Sequence, residues 1–134
     1  MSDAKVKAIL GYDIVDGVSV DDYEKWLREV HIPDLLANPY IDRAVFNKVL
    51  RPITTTSAGT ATTADPQTFY RVAELHFADH DAYGKYLQWF RDNPIPVERS
   101  PAGRTEFRFY VLTDSVTADR TSEPSFSEDS MPAG

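Results

Sequence analysis

The chain has 134 residues, enough for one domain and too few for two, and its 42% hydrophobic and 26% charged residues are the balance of an ordinary globular protein. A net charge of -7 with a pI near 4.8 argues against a nucleic-acid-binding face, and no apolar run of roughly 18 residues offers a membrane span. There is no cysteine, which removes disulfides, thiolate nucleophiles and cysteine-held metals, and the start MSDAKVKAIL lacks the layout of a signal peptide, so the chain is expected in the cytoplasm.

In chain order, Lys5 to Val15 (KVKAILGYDIV) sets Val6, Ala8, Leu10, Tyr12 and Ile14 against Lys7, Ile9, Gly11 and Asp13, the period of a strand. Asp16-Gly17 signals a turn. Ser19 or Asp21 is then placed to cap a helix through DDYEKWLREVHI, with Asp21, Asp22 and Glu24 favourable in its first turns. Pro33 lacks an N–H and clashes with the turn before it, so this helix is expected to bend or end near Ile32, with Asn38-Pro39 closing the connection. Tyr40 to Leu50 (YIDRAVFNKVL) reads as a second strand. Arg51 to Gln67, rich in Thr, Ala, Ser and Gly, is expected to be a long flexible loop, either a flap or an extended hairpin loop.

Thr68 to Phe77 (TFYRVAELHF) reads as a third strand, and Asp79 is a good N-cap for the helix DHDAYGKYLQWFRDN, which Pro94 and Pro96 terminate. Glu106 to Thr113 (EFRFYVLT), dense in aromatic and β-branched residues, is the last strand. Ser115 to Gly134 carries Asp119, Glu123, Glu128 and Asp129 against Arg120 alone, and buries too little apolar surface to offset chain entropy, so it is expected to be a disordered acidic tail. Residues 1–114 are then a single α+β domain in the order βαββαβ. This is the ferredoxin-like split motif, an antiparallel four-stranded sheet with both helices on one face. The uncovered face carries Ile9 and Val72, and the final strand is apolar on both sides, so a homodimer is expected to bury it.

This order, the short first strand and the string YEKWLREVHIPDL resemble the dimeric α/β-barrel superfamily. Within it, Tyr23, Trp26, His31 and Pro33 resemble the first helix of the EthD-like group, a set that also holds the REDY-like proteins. The topological resemblance covers residues 5–114, the motif about a dozen. It implies a pocket between helices and sheet into which the matching histidine, His31, points, with Trp26 beside the substrate. Members include polyketide cyclases, muconolactone-type isomerases, cofactor-free monooxygenases and haem-handling proteins, so the site itself must decide the activity.

At about 100° per residue, Val20, Tyr23, Leu27, Val30 and His31 share one face of the first helix, which puts His31 beside the apolar stripe. At a helix C-terminus the dipole favours the imidazolium while burial opposes it, so His31 is expected to titrate near neutrality, as a general acid or base requires. Capping of helix carbonyls is the bland alternative. Tyr12 shares its strand face with Ala8 and Leu10; Tyr83, Tyr86, Leu87 and Phe90 make the inner face of the second helix; Phe46 is placed on the second strand. With Tyr23 they form either plain core or an aromatic lining for a ligand, and buried tyrosine hydroxyls need partners. Arg71 has the parity of Ala73 and Leu75 and is a candidate for bidentate contact with a ligand carboxylate or enolate, or else a solvated strand end. Glu74 and His76 share the opposite face and are expected at the dimer interface.

His76 and His80 do not share a helix face, so no metal site is expected, and no G-x-S-x-G, P-loop or G-x-G-x-x-G occurs. The expectation is a small enzyme without cofactor, acting on a hydrophobic, enolisable or phenolic, polyketide-like compound by cyclisation, dehydration or isomerisation. His31 and Tyr12 are the catalytic candidates, with Tyr23, Trp26, Phe46, Arg71, Tyr83, Tyr86 and Phe90 around the substrate. A cofactor-independent monooxygenase and a non-catalytic small-molecule binding protein are the competing readings.

Overall fold

The computed structural model describes residues 5–50, 53–55, 61–63, 69–118 and 120. The alternation at the start of the chain becomes β1 (Val6–Ile14), in which Val6, Ala8, Leu10 and Tyr12 are buried while Lys7 and Ile9 are only half so. Gly17 takes φ 91°, the left-handed conformation that lets the chain turn back. Ser19 caps α1 (Val20–Trp26), its hydroxyl accepting from the Asp22 amide at 3.1 Å.

The helix does not end near Ile32, and its departure from regular α geometry falls just before Pro33. α1 runs into a π-helical turn (Leu27–His31) and then into α2 (Ile32–Leu36). The Ile32 amide bonds to the Leu27 carbonyl, five residues back instead of four. This wider turn makes room for the proline ring, and Pro33 follows it directly, taking one amide out of the continuous helix. Asn38 then ties the helix end to its neighbour. Only 1% exposed, it donates to the Tyr86 carbonyl at 3.0 Å and accepts from the Tyr40 amide at 2.9 Å.

β2 (Arg43–Lys48) follows, shorter than its expected span. Inside the low-complexity stretch, β3 (Ile53–Thr55) and β4 (Ala61–Thr63) pair as a separate antiparallel ribbon; the rest of that stretch lies outside the described residues. β5 (Arg71–Phe77), α3 (His80–Asp92, capped by Asp79) and β6 (Thr105–Asp114) complete the domain. The main sheet has the order β2-β5-β1-β6, antiparallel throughout. Most of the expected tail also lies outside the described residues, although the Ser115 amide still bonds to the Lys5 carbonyl at 2.7 Å.

Both helical stretches cover one face. Tyr23, Trp26, Leu27 and Leu35 from the first and Tyr86 from α3 pack with Ala8, Leu10, Ala73, Leu75 and Phe77 of the sheet. Each large apolar side chain buried here contributes roughly 1.5–3 kcal/mol relative to exposure. Leu87, expected on the inner face of α3, is instead 37% exposed. The other face of the sheet is mixed: Glu74 accepts from Asn47 and meets His76, both at 3.0 Å, with the Lys7 ammonium 3.9 Å away.

One irregularity sets up the site. Gly11 pairs with Phe109, but the next residue, Tyr12, pairs with Phe107, so Arg108 is an extra residue in β6. Such a bulge reverses the in-out alternation of the strand carrying it. Tyr110, opposite Leu10, and Phe107, opposite Tyr12, therefore both face the helices although they are three residues apart. Arg108 is anchored by donating to Asp13 at 2.8 Å, and the Phe109 ring lies across Gly11 so closely that a Cβ there would sit 2.3 Å from Cε2.

Candidate functional site

A cavity of about 520 Å³, counting its open mouth, lies between the sheet and the helices. Its floor is Leu10 and Tyr12 of β1, Phe46 of β2, Leu75 of β5, and Thr105, Phe107 and Tyr110 of β6. Tyr23, His31 and Leu35 of the first helical stretch and Tyr86 of α3 form the roof, and Pro101 closes one end. Among the described residues, no carboxylate, ammonium or guanidinium lines it. Phe107 and Tyr110 are half-exposed, so the mouth opens along the edge strand.

Three buried side-chain polar atoms among the described residues make no hydrogen bond of ordinary geometry: the Tyr12 hydroxyl, His31 Nδ1 and the Thr105 hydroxyl, with the Tyr23 hydroxyl near enough to those of Tyr12 and Thr105 to interact with both. All three belong to residues of this one cavity. Native interiors satisfy the large majority of buried polar side-chain atoms, so their concentration here marks a place adapted to something other than packing.

His31 is the last residue of the π turn. Its ring stacks on Trp26 at 4.8 Å between centroids and meets Phe46 edge-on at 6.4 Å. Because the helix continues through Leu36, the expected C-terminal dipole is absent at His31. Burial dominates and pulls the imidazole down to about 4, with Asp34 opposing. The expected titration near neutrality is thus corrected: at pH 7 the ring is neutral, a hydrogen-bonding base rather than a resident cation. Tyr12 packs against Tyr23 at 5.9 Å and Phe107 at 6.2 Å. Burial, then the neighbouring Tyr23 phenol, push its hydroxyl far above the usual phenol range, so it keeps its proton.

Of the residues anticipated from sequence, Tyr12, Tyr23, His31, Phe46 and Tyr86 line the cavity. Trp26, Arg71, Tyr83 and Phe90 do not. Trp26 backs His31, with its indole donating to the Arg99 carbonyl at 3.1 Å and the Arg104 guanidinium 5.2 Å over its ring. Arg71 is engaged by Glu24. Tyr83 packs edge-on against Phe77, with its hydroxyl 3.3 Å from that of Tyr110, and Phe90 packs edge-on against Tyr86. Sequence reasoning missed Leu10, Leu35, Leu75, Pro101, Thr105, Phe107 and Tyr110. For the β6 residues the available signal was Gly11, since a glycine inside a strand often marks a bulge or a close backbone approach.

Among the described residues there is no group of three or more His, Asp or Glu side chains able to hold a metal, and no helix long and apolar enough to cross a membrane.

No protein-family model and no curated protein matches the chain. Among solved structures it is similar to the solution structure of a hypothetical Arabidopsis thaliana protein, with a TM-score of 0.55 at 16% identity, over 89% of this chain and 96% of the other. It is also similar to the crystal structure of HapK from Hahella chejuensis, with a TM-score of 0.52 at 11% identity, over 88% and 99%. At these identities the likeness speaks for architecture alone: the chain has a ferredoxin-like α+β fold.

Proposed function

We propose that the cavity binds a small hydrophobic, enolisable or phenolic compound of polyketide type, and that His31 and Tyr12 move a proton on it. Cyclisation, dehydration and isomerisation, in secondary metabolism or aromatic catabolism, are reactions of this kind. The observation that carries the reading is the set of three polar atoms without a hydrogen bond of ordinary geometry in one apolar, aromatic lining. A ligand with two or three oxygens on a flat hydrophobic frame would satisfy them, which is the usual composition of a small-molecule site. The stacked Trp26 and His31 on the first helix support the finer EthD-like assignment.

With its own proton on Nε2, His31 offers the Nδ1 lone pair to a C–H or O–H proton of the ligand. The electron pair left behind becomes an enolate or phenolate, and the protonated Tyr12 donates to that oxygen, with Thr105 as a second donor. The low basicity of the empty site is relieved in the same step, because imidazolium and enolate form together as opposite charges in a poorly polar surround. The proton then returns to another atom of the ligand. Such transfer by one positioned group contributes typically 10²–10⁴-fold, the remainder coming from orientation in a dry pocket.

One observation favours a second reading, binding without turnover: an imidazole held near 4 is a weak base. The two readings separate on a ligand identified by mass spectrometry of the purified protein. His31→Gln should abolish turnover of that ligand while binding stays within a few-fold; a ligand that wild-type protein binds and never converts establishes the carrier. The proposal includes a homodimer joined through the open sheet face, where Ile9, Val45 and Val72 are half-buried and Val111 is 47% exposed, and it includes neither nucleic acid nor membrane as a partner. Light scattering at micromolar concentration should give the mass of two chains; a monomer there would remove the dimer from the proposal.

A further inference from the structure

Arg71 and Glu24 stand just behind the cavity, with side chains only 12% and 20% exposed. The Arg71 guanidinium is fully committed. Its Nη2 donates to Glu24 Oε1 at 2.7 Å and Oε2 at 2.8 Å, Nε donates to Oε2 at 3.2 Å, and Nη1 donates to the Phe46 carbonyl at 2.9 Å. Tyr70 adds a hydroxyl donated to Glu24, and its ring lies under the guanidinium at 5.3 Å. One cation is thereby fixed to α1, β2 and β5 at once. Burial pushes the Glu24 carboxyl up, but the Arg71 guanidinium and the Tyr70 hydroxyl outweigh it and hold the group ionised.

The strand partner of this fixed cation is Tyr12. In the β1–β5 register Tyr12 and Arg71 are direct partners on the helix side of the sheet, and side chains so paired have Cβ atoms about 4.5–5.5 Å apart. We infer that Arg71, fixed in place by Glu24, is a positioning residue for the Tyr12 end of the site: of the two charges the guanidinium is the one on the strand partner of Tyr12, so that the site prefers a ligand oxygen carrying negative charge over a neutral one. This rests on the reading of Tyr12 as the donor to an enolate or phenolate oxygen. The electrostatics agree, since burial pushes the Tyr12 and Tyr23 hydroxyls up, Glu24 adds to that push, and Arg71 pulls both down. The arrangement also accounts for a strand charge that faces the buried side and lines no cavity.

The test uses two probes of one shape, para-nitrophenol, whose anion is read by its visible absorbance, and para-nitroanisole, which cannot ionise. They are titrated into the full chain and into three variants. The double variant Arg71→Met with Glu24→Gln removes the pair without leaving an unpaired charge, Arg71→Lys keeps the charge without the fork, and Glu24→Gln leaves the cation unopposed. Circular dichroism checks each fold. The double variant should bind the phenolate at least about tenfold more weakly, the smallest effect expected of an opposite charge at this range, with nitroanisole affinity within about twofold. Arg71→Lys should recover most of the loss, and Glu24→Gln should bind the phenolate at least as tightly as wild type. Equal losses for both probes, or no loss for either, would overturn the inference and leave the pair purely structural. Wild-type protein that binds neither probe would instead overturn the reading of the cavity, and the inference with it.

Discussion

The two faces of the sheet handle polar groups in opposite ways. On the open face each carboxylate of the described cluster has found a partner within the chain: Glu74 has Asn47, His76 and Lys7, and Asp13 has Arg108. On the helix face the charged pair Glu24–Arg71 is withdrawn behind the wall, while the cavity lining among the described residues holds neutral groups, three of them with no hydrogen bond of ordinary geometry. Partners within the chain satisfy these groups whether water or a second copy covers the face. Leaving polar atoms unpaired under the helices costs stability, on the order of 1–3 kcal/mol for each group, and that cost is concentrated where a ligand can relieve it.

The largest expected break in this contrast comes from His31→Gln. It should lower turnover of the cognate ligand by about 10²–10⁴-fold while the melting temperature stays close to wild type, since the ring makes no hydrogen bond through Nδ1. Activity that survives the change would move the chemistry away from the helix face. Next in size is a pH effect. The unfolded chain takes up a proton on this histidine near 6.5, whereas the folded chain resists until about 4. Stability is therefore complete above about 6.5 and falls as the pH drops from there towards 4, by on the order of 3 kcal/mol at the bottom of the window. Denaturant titrations at pH 7, 5.5 and 4 should show the fall, and His31→Gln should flatten this contribution.

Tyr12→Phe should act on binding and turnover and leave stability nearly unchanged. It deletes a hydroxyl that makes no hydrogen bond of ordinary geometry, so the melting temperature should stay close to wild type, whereas ligand affinity should weaken by about 1 kcal/mol, or about 1.5–3 kcal/mol where the ligand oxygen is charged. A clear loss of stability would mean that the hydroxyl is already satisfied inside the chain. The smallest effect belongs to the open face. Glu74→Gln weakens ion pairs whose side chains are 12–28% exposed, and chemical denaturation should register about 1 kcal/mol or less, with ligand affinity untouched.

Much of the fold is legible as periodicity, and the failures share one cause. Alternation in β1 marks Val6, Ala8, Leu10 and Tyr12 as buried, and the same parity puts Arg71 with Ala73 and Leu75. These patterns presume two residues per repeat in a strand and 3.6 in a helix. One extra residue in β6 and one wide turn at Leu27–His31 break that presumption at the cavity. Phe107 and Tyr110 have opposite parity in the sequence and the same side in the fold, so no count along β6 brings them together. His31 looks like a helix end because Pro33 follows; with five more helical residues beyond it, the dipole argument loses its basis and burial decides the titration. Arg71 has the right side but the wrong occupant, because Glu24 lies far from it in sequence and only the packing of α1 on the sheet brings the two into contact.

The wide turn has a consequence for how this fold tolerates insertions and deletions. A π turn spends one residue more than the α turn it replaces, so removing a single residue within Leu27–His31 would let the helix return to regular spacing. Because the α turn completes the same rotation with one residue fewer, Leu35 would keep its place in the core, and only the residues within the turn, His31 among them, would change position. The extra residue thus sets what faces the cavity from the turn while the helix beyond keeps its facing. Substitutions around the cavity adjust its fit, whereas a one-residue gap in this turn exchanges the residue at the position of His31. In an alignment of relatives, a gap at this point should be read as a change of cavity and not as drift in a connecting segment.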